Sequence, residues 1–316
     1  MEISLVISKL LPVILIIILG WILKKVKFIT DEGNNFLKKI IVNVGLPAVL
    51  FVSFLNMSIT MSLVFLIPGI FILNALLLLF GKFAGSLIGG KYSPFLFTGF
   101  EYGMFAIAVF TAAYGTASTS YIAIIDLGHE IFIWFVFVTM LLSVSGKKQT
   151  VKDTLTSFIK SPIILAITFG IIANILNLEE FINSNPKSKG LLTTVEMLMS
   201  LTAPLILMSI GAGLSLSKSG ISFAAKVTAI RMPIVLVLSY VIGKLILRNL
   251  FGLPFAYEAA LFTLFIAPPP FIIPLFIPDN DALERGVINT TLTFYTLVSR
   301  PKSFDTFSGD LTSYAV

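Results

Sequence analysis

Residues 255–277 read FAYEAALFTLFIAPPPFIIPLFI. The stretch is otherwise apolar and long enough to cross a bilayer, which takes roughly 20 mostly apolar residues in a helix. Yet Pro268, Pro269 and Pro270 stand in its middle, and Pro274 and Pro278 follow. Proline removes a backbone donor and clashes with the preceding turn, so three in a row cannot continue an α-helix. Unwound backbone inside a membrane is tolerated only where it is buried in protein or lines a cavity. The stretch therefore reads as a broken membrane helix. A loop between two short helices is the competing reading.

The rest of the chain sets the same solvent. Of 316 residues, 57% are hydrophobic and only 12% charged, against about 25% charged in an average soluble domain. The apolar residues come in ten blocks, at about 3–23, 36–55, 62–81, 94–114, 119–144, 162–178, 191–216, 224–247, 255–277 and 284–299. Lipid offers the backbone no hydrogen-bond partner, so such blocks must be helical. The fold class expected is an all-α membrane protein with about ten transmembrane helices. The first block is too long for a signal h-region, and lysines follow it rather than a cleavage site, so it reads as the first span. The chain has no cysteine and one histidine, which excludes disulfides, thiol chemistry and multi-histidine zinc sites. No nucleotide-binding motif is present, so ATP-driven pumping has no support.

The net charge of +6 is distributed as a topology signal rather than as a nucleic-acid surface. Loops after odd-numbered segments carry Lys24, Lys25, Lys27, Lys82, Lys91, Lys147, Lys148, Lys152, Lys160, Lys218 and Arg285, with Lys38, Lys39 and Lys226 at the adjoining segment ends. Loops after even-numbered segments carry only Lys187, Lys189 and Arg248. Positive loops stay cytoplasmic. Residues 147–160 are thus expected inside, residues 178–190 outside, and the amino terminus outside a plasma or inner membrane.

The two halves are weakly alike. Pro47-Ala48-Val49-Leu50 in segment two matches Pro204-Leu205-Ile206-Leu207 in segment seven. Ile67-Pro68-Gly69 in segment three matches Met232-Pro233-Ile234 in segment eight. Leu96-Phe97-Thr98-Gly99-Phe100 in segment four matches Leu261-Phe262-Thr263-Leu264-Phe265 in segment nine. The order is shared, and five helices followed by five give repeats of opposite orientation, a mark of secondary transporters. The expected units are a first repeat over 1–145, a cytoplasmic linker over 146–161, a second repeat over 162–299 and a polar tail over 300–316.

These residues resemble the auxin efflux carrier family, which includes PIN-like plant carriers and bacterial permeases for organic acids. Leu11-Pro12 and Gly20-Trp21 in segment one carry the likeness. So do Asn43-Val44-Gly45-Leu46-Pro47, Ala203-Pro204-Leu205 and Gly211-Ala212-Gly213-Leu214. The resemblance spans about residues 5–298. It implies two inverted five-helix repeats with broken helices four and nine crossing at mid-membrane, and a small organic anion as substrate. Two features depart from the family. Phe100-Glu101-Tyr102-Gly103-Met104 stands where members often have an asparagine-glycine-glycine-proline type pattern. Segment ten stops near Ser299, and about 14 residues at 1.5 Å each cover roughly 20 Å of a roughly 30 Å core.

The candidate site residues follow from polarity inside apolar blocks. Glu101 falls near the likely midplane, beside Tyr102 and the potential breaks at Gly99 and Gly103. An intramembrane carboxylate is costly and marks function by default, with a structural partner for a buried cation as the plainer alternative. Asp126, His129 and Glu130 share one helix face, which should point into the bundle. They fit proton or ion handling, binding of a polar substrate, or a structural network. Asn43, Asn289 (aligned with Asp126 in the repeat) and the prolines 268–270 complete the set; Glu196 and Arg231 are further intramembrane polar residues. Arg231 is either a counter-ion or snorkels to the surface, and Lys244 snorkels.

The leading expectation is a secondary transporter with no cofactor, coupled to H+ or Na+, binding a small carboxylate where segments four and nine cross. Glu101 in ionised form would repel an anion there. It is therefore protonated during binding, or holds a cation, or the substrate is not an anion. The alternative is an intramembrane enzyme using Asp126, His129 and Glu130. The bilayer is the other partner, nucleic acid is not, and a homodimer is left open.

Overall fold

A computed structural model of the chain describes residues 2–56, 61–146, 156, 159–214, 218–278 and 281–299. Every regular element among them is helical. Among the described residues, a helix lies in each of the ten apolar blocks, in order. They are α1 (Glu2–Lys25), α2 (Asp31–Leu55), α3 (Met61–Ile88), α4 (Tyr102–Tyr114), α5 (Thr116–Val144), α6 (Pro162–Ile175), α7 (Pro186–Gly213), α8 (Lys218–Val241, continuing as the wider turns Ile242–Leu250), α9 (Phe255–Ile266) and α10 (Ala282–Val298). Among the described residues, 5 helices are long and apolar enough to cross a membrane: α2, α3, α5, α7 and α8. The shorter α4, α6 and α9 are also apolar. Large apolar side chains such as Leu79, Phe83, Phe169, Leu201 and Val237 stand exposed along these helices, as expected where the solvent is hydrocarbon.

Several ends differ from the apolar blocks. α2 begins at Asp31, because Thr30 caps it by accepting from Gly33 N at 3.0 Å. α7 begins at Pro186, where Asn185 accepts from Lys187 N at 3.0 Å. The stretch expected as an outer loop, 178–190, holds a short helix, Leu178–Ser184, and this start of α7. Polar first turns extend these helices past the block that hydropathy alone detects. α10 has 17 residues, about 26 Å at 1.5 Å per residue, and is longer than the apolar run implied. Most of the 146–161 linker and the 300–316 tail lie outside the described residues.

Helix pairing is specific. α1 packs on α7 and α6 on α2, while α3 packs on α5 and α8 on α10. Glycines set the closest approaches. A Cβ at Gly20 would strike the Met208 carbonyl, and one at Gly211 the Ile17 carbonyl. The local role of these glycines is to let the α1 and α7 backbones touch, as small residues do between helices in lipid.

Segments four and nine are both interrupted. Segment four runs as a 3-10 turn, Ser93–Leu96, then irregular backbone over 97–101, then α4. Segment nine runs as α9, then irregular backbone over 267–272, then a 3-10 turn, Ile273–Phe276. The long halves thus lie on opposite sides of their breaks. The break expected around Gly99 and Gly103 falls at Gly99 only. Gly99 has φ +69°, where a side chain is strained. Gly103 is inside the first, wider turn of α4 and faces Leu46 across α2.

Candidate functional site

The two breaks meet. Glu101 N donates to Pro268 O at 2.8 Å, a backbone bond between segments four and nine. Glu101 then closes the junction with its side chain. Oε1 accepts from Met104 N at 3.0 Å, capping α4, and Oε2 accepts from Phe271 N at 2.6 Å, across the crossing. One carboxylate therefore satisfies orphan N–H groups on both broken segments. The three prolines assist by subtraction, since each removes an N–H that would otherwise need a partner.

The remaining polar groups of the segment-four break are satisfied from outside. Arg231 on α8 donates from Nη1 to Leu96 O and from Nη2 to Gly99 O, both at 2.7 Å. Its side chain is 1% exposed and lies between the Phe100 and Tyr295 rings, 5.2 and 5.1 Å from their centroids. Thr98 Oγ1 donates to Asn74 O on α3 at 2.9 Å. Phe100 N donates to His129 Nε2 on α5 at 2.9 Å, and the Phe100 ring stacks on Phe265 of α9. Irregular backbone persists at this depth because four neighbouring elements supply its partners. Arg231 thus neither pairs with a carboxylate within ion-pair distance nor reaches the surface; carbonyl oxygens are its partners, since unwinding leaves them without helical donors. Lys244, by contrast, is exposed and bonds Tyr240 Oη at 3.1 Å.

Asp126, His129 and Glu130 cluster as their spacing implies, with ligand-type atoms within 4.8 Å of one another. His129 Nδ1 lies 2.8 Å from Asp126 Oδ1. Glu130 accepts from Trp134 Nε1 at 3.0 Å. Both ring nitrogens of His129 are occupied by these protein contacts, so the arrangement presents no free imidazole lone pair to a metal. Tyr102 is buried beside this cluster, its hydroxyl without a hydrogen-bond partner.

A cavity of about 420 Å³ abuts the crossing. Met104 and Phe271, whose amides hold Glu101, form part of its wall, and Lys38, Ser209, Arg285 and Asn289 supply its polar lining. Lys38 is placed to attract Glu101. Arg285 also donates to Ile277 O at the end of segment nine. A second cavity, of about 290 Å³, lies toward the other ends of α2, α4 and α7, lined by Ser53, Asn56, Thr116, Ser120 and Glu196. Between the two, Val49, Ile107, Ala108, Thr202 and Ile206 leave a gap of only about 10 Å³.

The structure thus joins Glu101, Pro268, Phe271 and the Asp126–His129–Glu130 cluster around one crossing. Asn289 lines the main cavity, away from the Asp126 it aligns with. Asn43 stands apart: it is exposed and donates to Lys39 O of its own helix at 2.8 Å. Glu196 is exposed and lines the second cavity. Lys38 and Arg285 were legible only as topology charges, and nothing local in the sequence marks them as cavity residues. Together these features define a membrane-embedded, all-helical protein whose polar centre is built on interrupted helices. No protein-family model matches the chain, and no curated protein matches it.

Proposed function

We propose that the chain is a secondary transporter of a small organic anion, working by alternating access, with the architecture that its resemblance to auxin efflux carriers implies. The observation that carries this reading is the crossing. Two interrupted segments are tied at one carboxylate beside a cavity lined by Lys38 and Arg285. Broken helices at mid-membrane are expensive and recur where a substrate or ion binds. The helix pairing supports an inverted repeat. Exchanging α1–α5 with α6–α10 turns the α1·α7 pair into α6·α2, and α3·α5 into α8·α10, and all four pairs are present. Two cavities with closely packed residues between them fit alternating access.

The cavity supports an anionic substrate despite Glu101. Both of its oxygens face backbone amides, so the substrate carboxylate need not lie against it. Lys38 and Arg285 offer the anion positive charge instead, and Asn289 a neutral amide. The enzyme alternative draws less support, because none of Asp126, His129 and Glu130 lines either cavity. Purified protein in proteoliposomes should take up a small carboxylate saturably. Turnover of a lipid or peptide without uptake would favour the enzyme instead.

On this reading the main cavity faces the cytoplasm, because Lys38 and Arg285 belong to the lysine- and arginine-rich side. A single cysteine replacing Thr150 in this cysteine-free chain should resist an impermeant reagent in intact cells and react once the membrane is opened. Reaction in intact cells would invert the topology.

A further inference from the structure

His129 is the sole histidine of the chain and is 2% exposed. Its Nε2 lies 2.9 Å from Phe100 N, and a backbone amide can only donate. Nε2 must therefore be the bare, accepting nitrogen. The ring hydrogen is then on Nδ1, donating to Asp126 Oδ1 at 2.8 Å. The contact exists only for the neutral ring. An imidazolium would turn an N–H toward the Phe100 N–H and expel it. Phe100 is no ordinary neighbour. It lies between Gly99, whose carbonyl Arg231 holds, and Glu101, which ties the two breaks together.

We propose that His129 is the proton-reading positioning residue of the crossing. Neutral His129 holds segment four against α5. A proton gained at Nε2 removes the acceptor and frees the Phe100 amide, loosening the junction at Glu101. This deepens the transport reading by naming where a coupling proton acts. The charged and titratable groups around His129 fit the task. Asp126 and Glu130 face it from its own helix, Glu101 and Tyr102 from segment four, and Arg231 from α8. Asp126 orients the ring through its contact with Nδ1. Elsewhere the packing is apolar: Phe265 of α9 stacks on Phe100, and Ile67 and Ile70 of α3 press on Gly128.

Because the chain has one histidine, 15N-histidine labelling reports a single imidazole. At neutral pH the spectrum should show the hydrogen on Nδ1 and an accepting Nε2; the opposite tautomer overturns the proposal. Hydrogen exchange in peptides covering residues 97–102, corrected for intrinsic rates, reads the release. Protection in wild type should fall about tenfold or more on acidification, the scale of one lost buried hydrogen bond. His129→Gln retains an acceptor oxygen but does not titrate, so its protection should be insensitive to pH. His129→Leu should be poorly protected at every pH. Equal pH dependence in wild type and His129→Gln overturns the proposal, even if His129→Leu fails to fold. Neither readout uses substrate, so failure here is distinct from failure of uptake.

Discussion

Glu101→Ala is expected to abolish uptake and to loosen the protein. The substitution strips acceptors from Met104 N and Phe271 N together, and unpaired buried amides cost about 1–3 kcal/mol each. The loss falls where a side-chain hydrogen bond ties segments four and nine. Glu101→Gln separates two roles. An amide has one acceptor oxygen, and its NH2 would face the second backbone N–H, so about half of the tie is lost. Uptake should fall about tenfold or more, since each 1.4 kcal/mol is about a factor of ten in rate. Because His129 is assigned the proton, the Gln variant should keep its dependence on an imposed pH gradient at this lower rate. A Gln variant with wild-type stability and no pH dependence would move the coupling proton to Glu101. Thermal unfolding in detergent, together with uptake across a series of pH gradients, distinguishes these outcomes.

Arg231→Leu should be the most damaging single change to folding. Its guanidinium is the donor to both Leu96 O and Gly99 O, at the point where segment four is unwound. Orphaned buried carbonyls add to the loss of the ring contacts with Phe100 and Tyr295. Each orphaned buried carbonyl costs about 1–3 kcal/mol, before the lost packing is added. That is a large part of the stability of an ordinary protein. Arg231→Lys should be intermediate, because an ammonium is a point donor and cannot fork to two carbonyls in fixed directions. The measurement is the monodisperse fraction after detergent extraction, followed by the unfolding temperature. Wild-type values for Arg231→Leu would show that the break is held by something else.

The sequence made some of this legible and hid the rest for physical reasons. Apolar blocks report what the lipid requires, so the all-helical class and the five long apolar helices were legible. Pro268–Pro270 announced the break in segment nine because proline acts locally. Gly99 gave a weaker signal, and Gly103 a misleading one, because a glycine serves a positive φ and a close helix contact equally well. What could not be read was who satisfies the unwound backbone. Arg231 bonds a carbonyl 135 residues away, and Glu101 an amide 170 residues away. Such partners are defined by packing, and nothing in the local pattern names them. Lys38 was counted as a cytoplasmic charge, yet the polar first turns of α2 carry it to the cavity wall beside Met104. Asn43 misled in the opposite sense: its motif position suggested the site, but its side chain bonds its own helix.

Counterflow in proteoliposomes tests the central claim most directly, because it needs neither a gradient nor a known direction. Vesicles holding purified protein are loaded with an unlabelled small carboxylate and diluted into a trace of the labelled acid. The account predicts transient, saturable accumulation of label that is reduced by Asn289→Trp, a side chain that fills the cavity beside the crossing. Across a panel of mono- and dicarboxylates, a stable wild-type protein that accumulates none of them, or one that accumulates label equally well with the cavity filled, would contradict transport through this site.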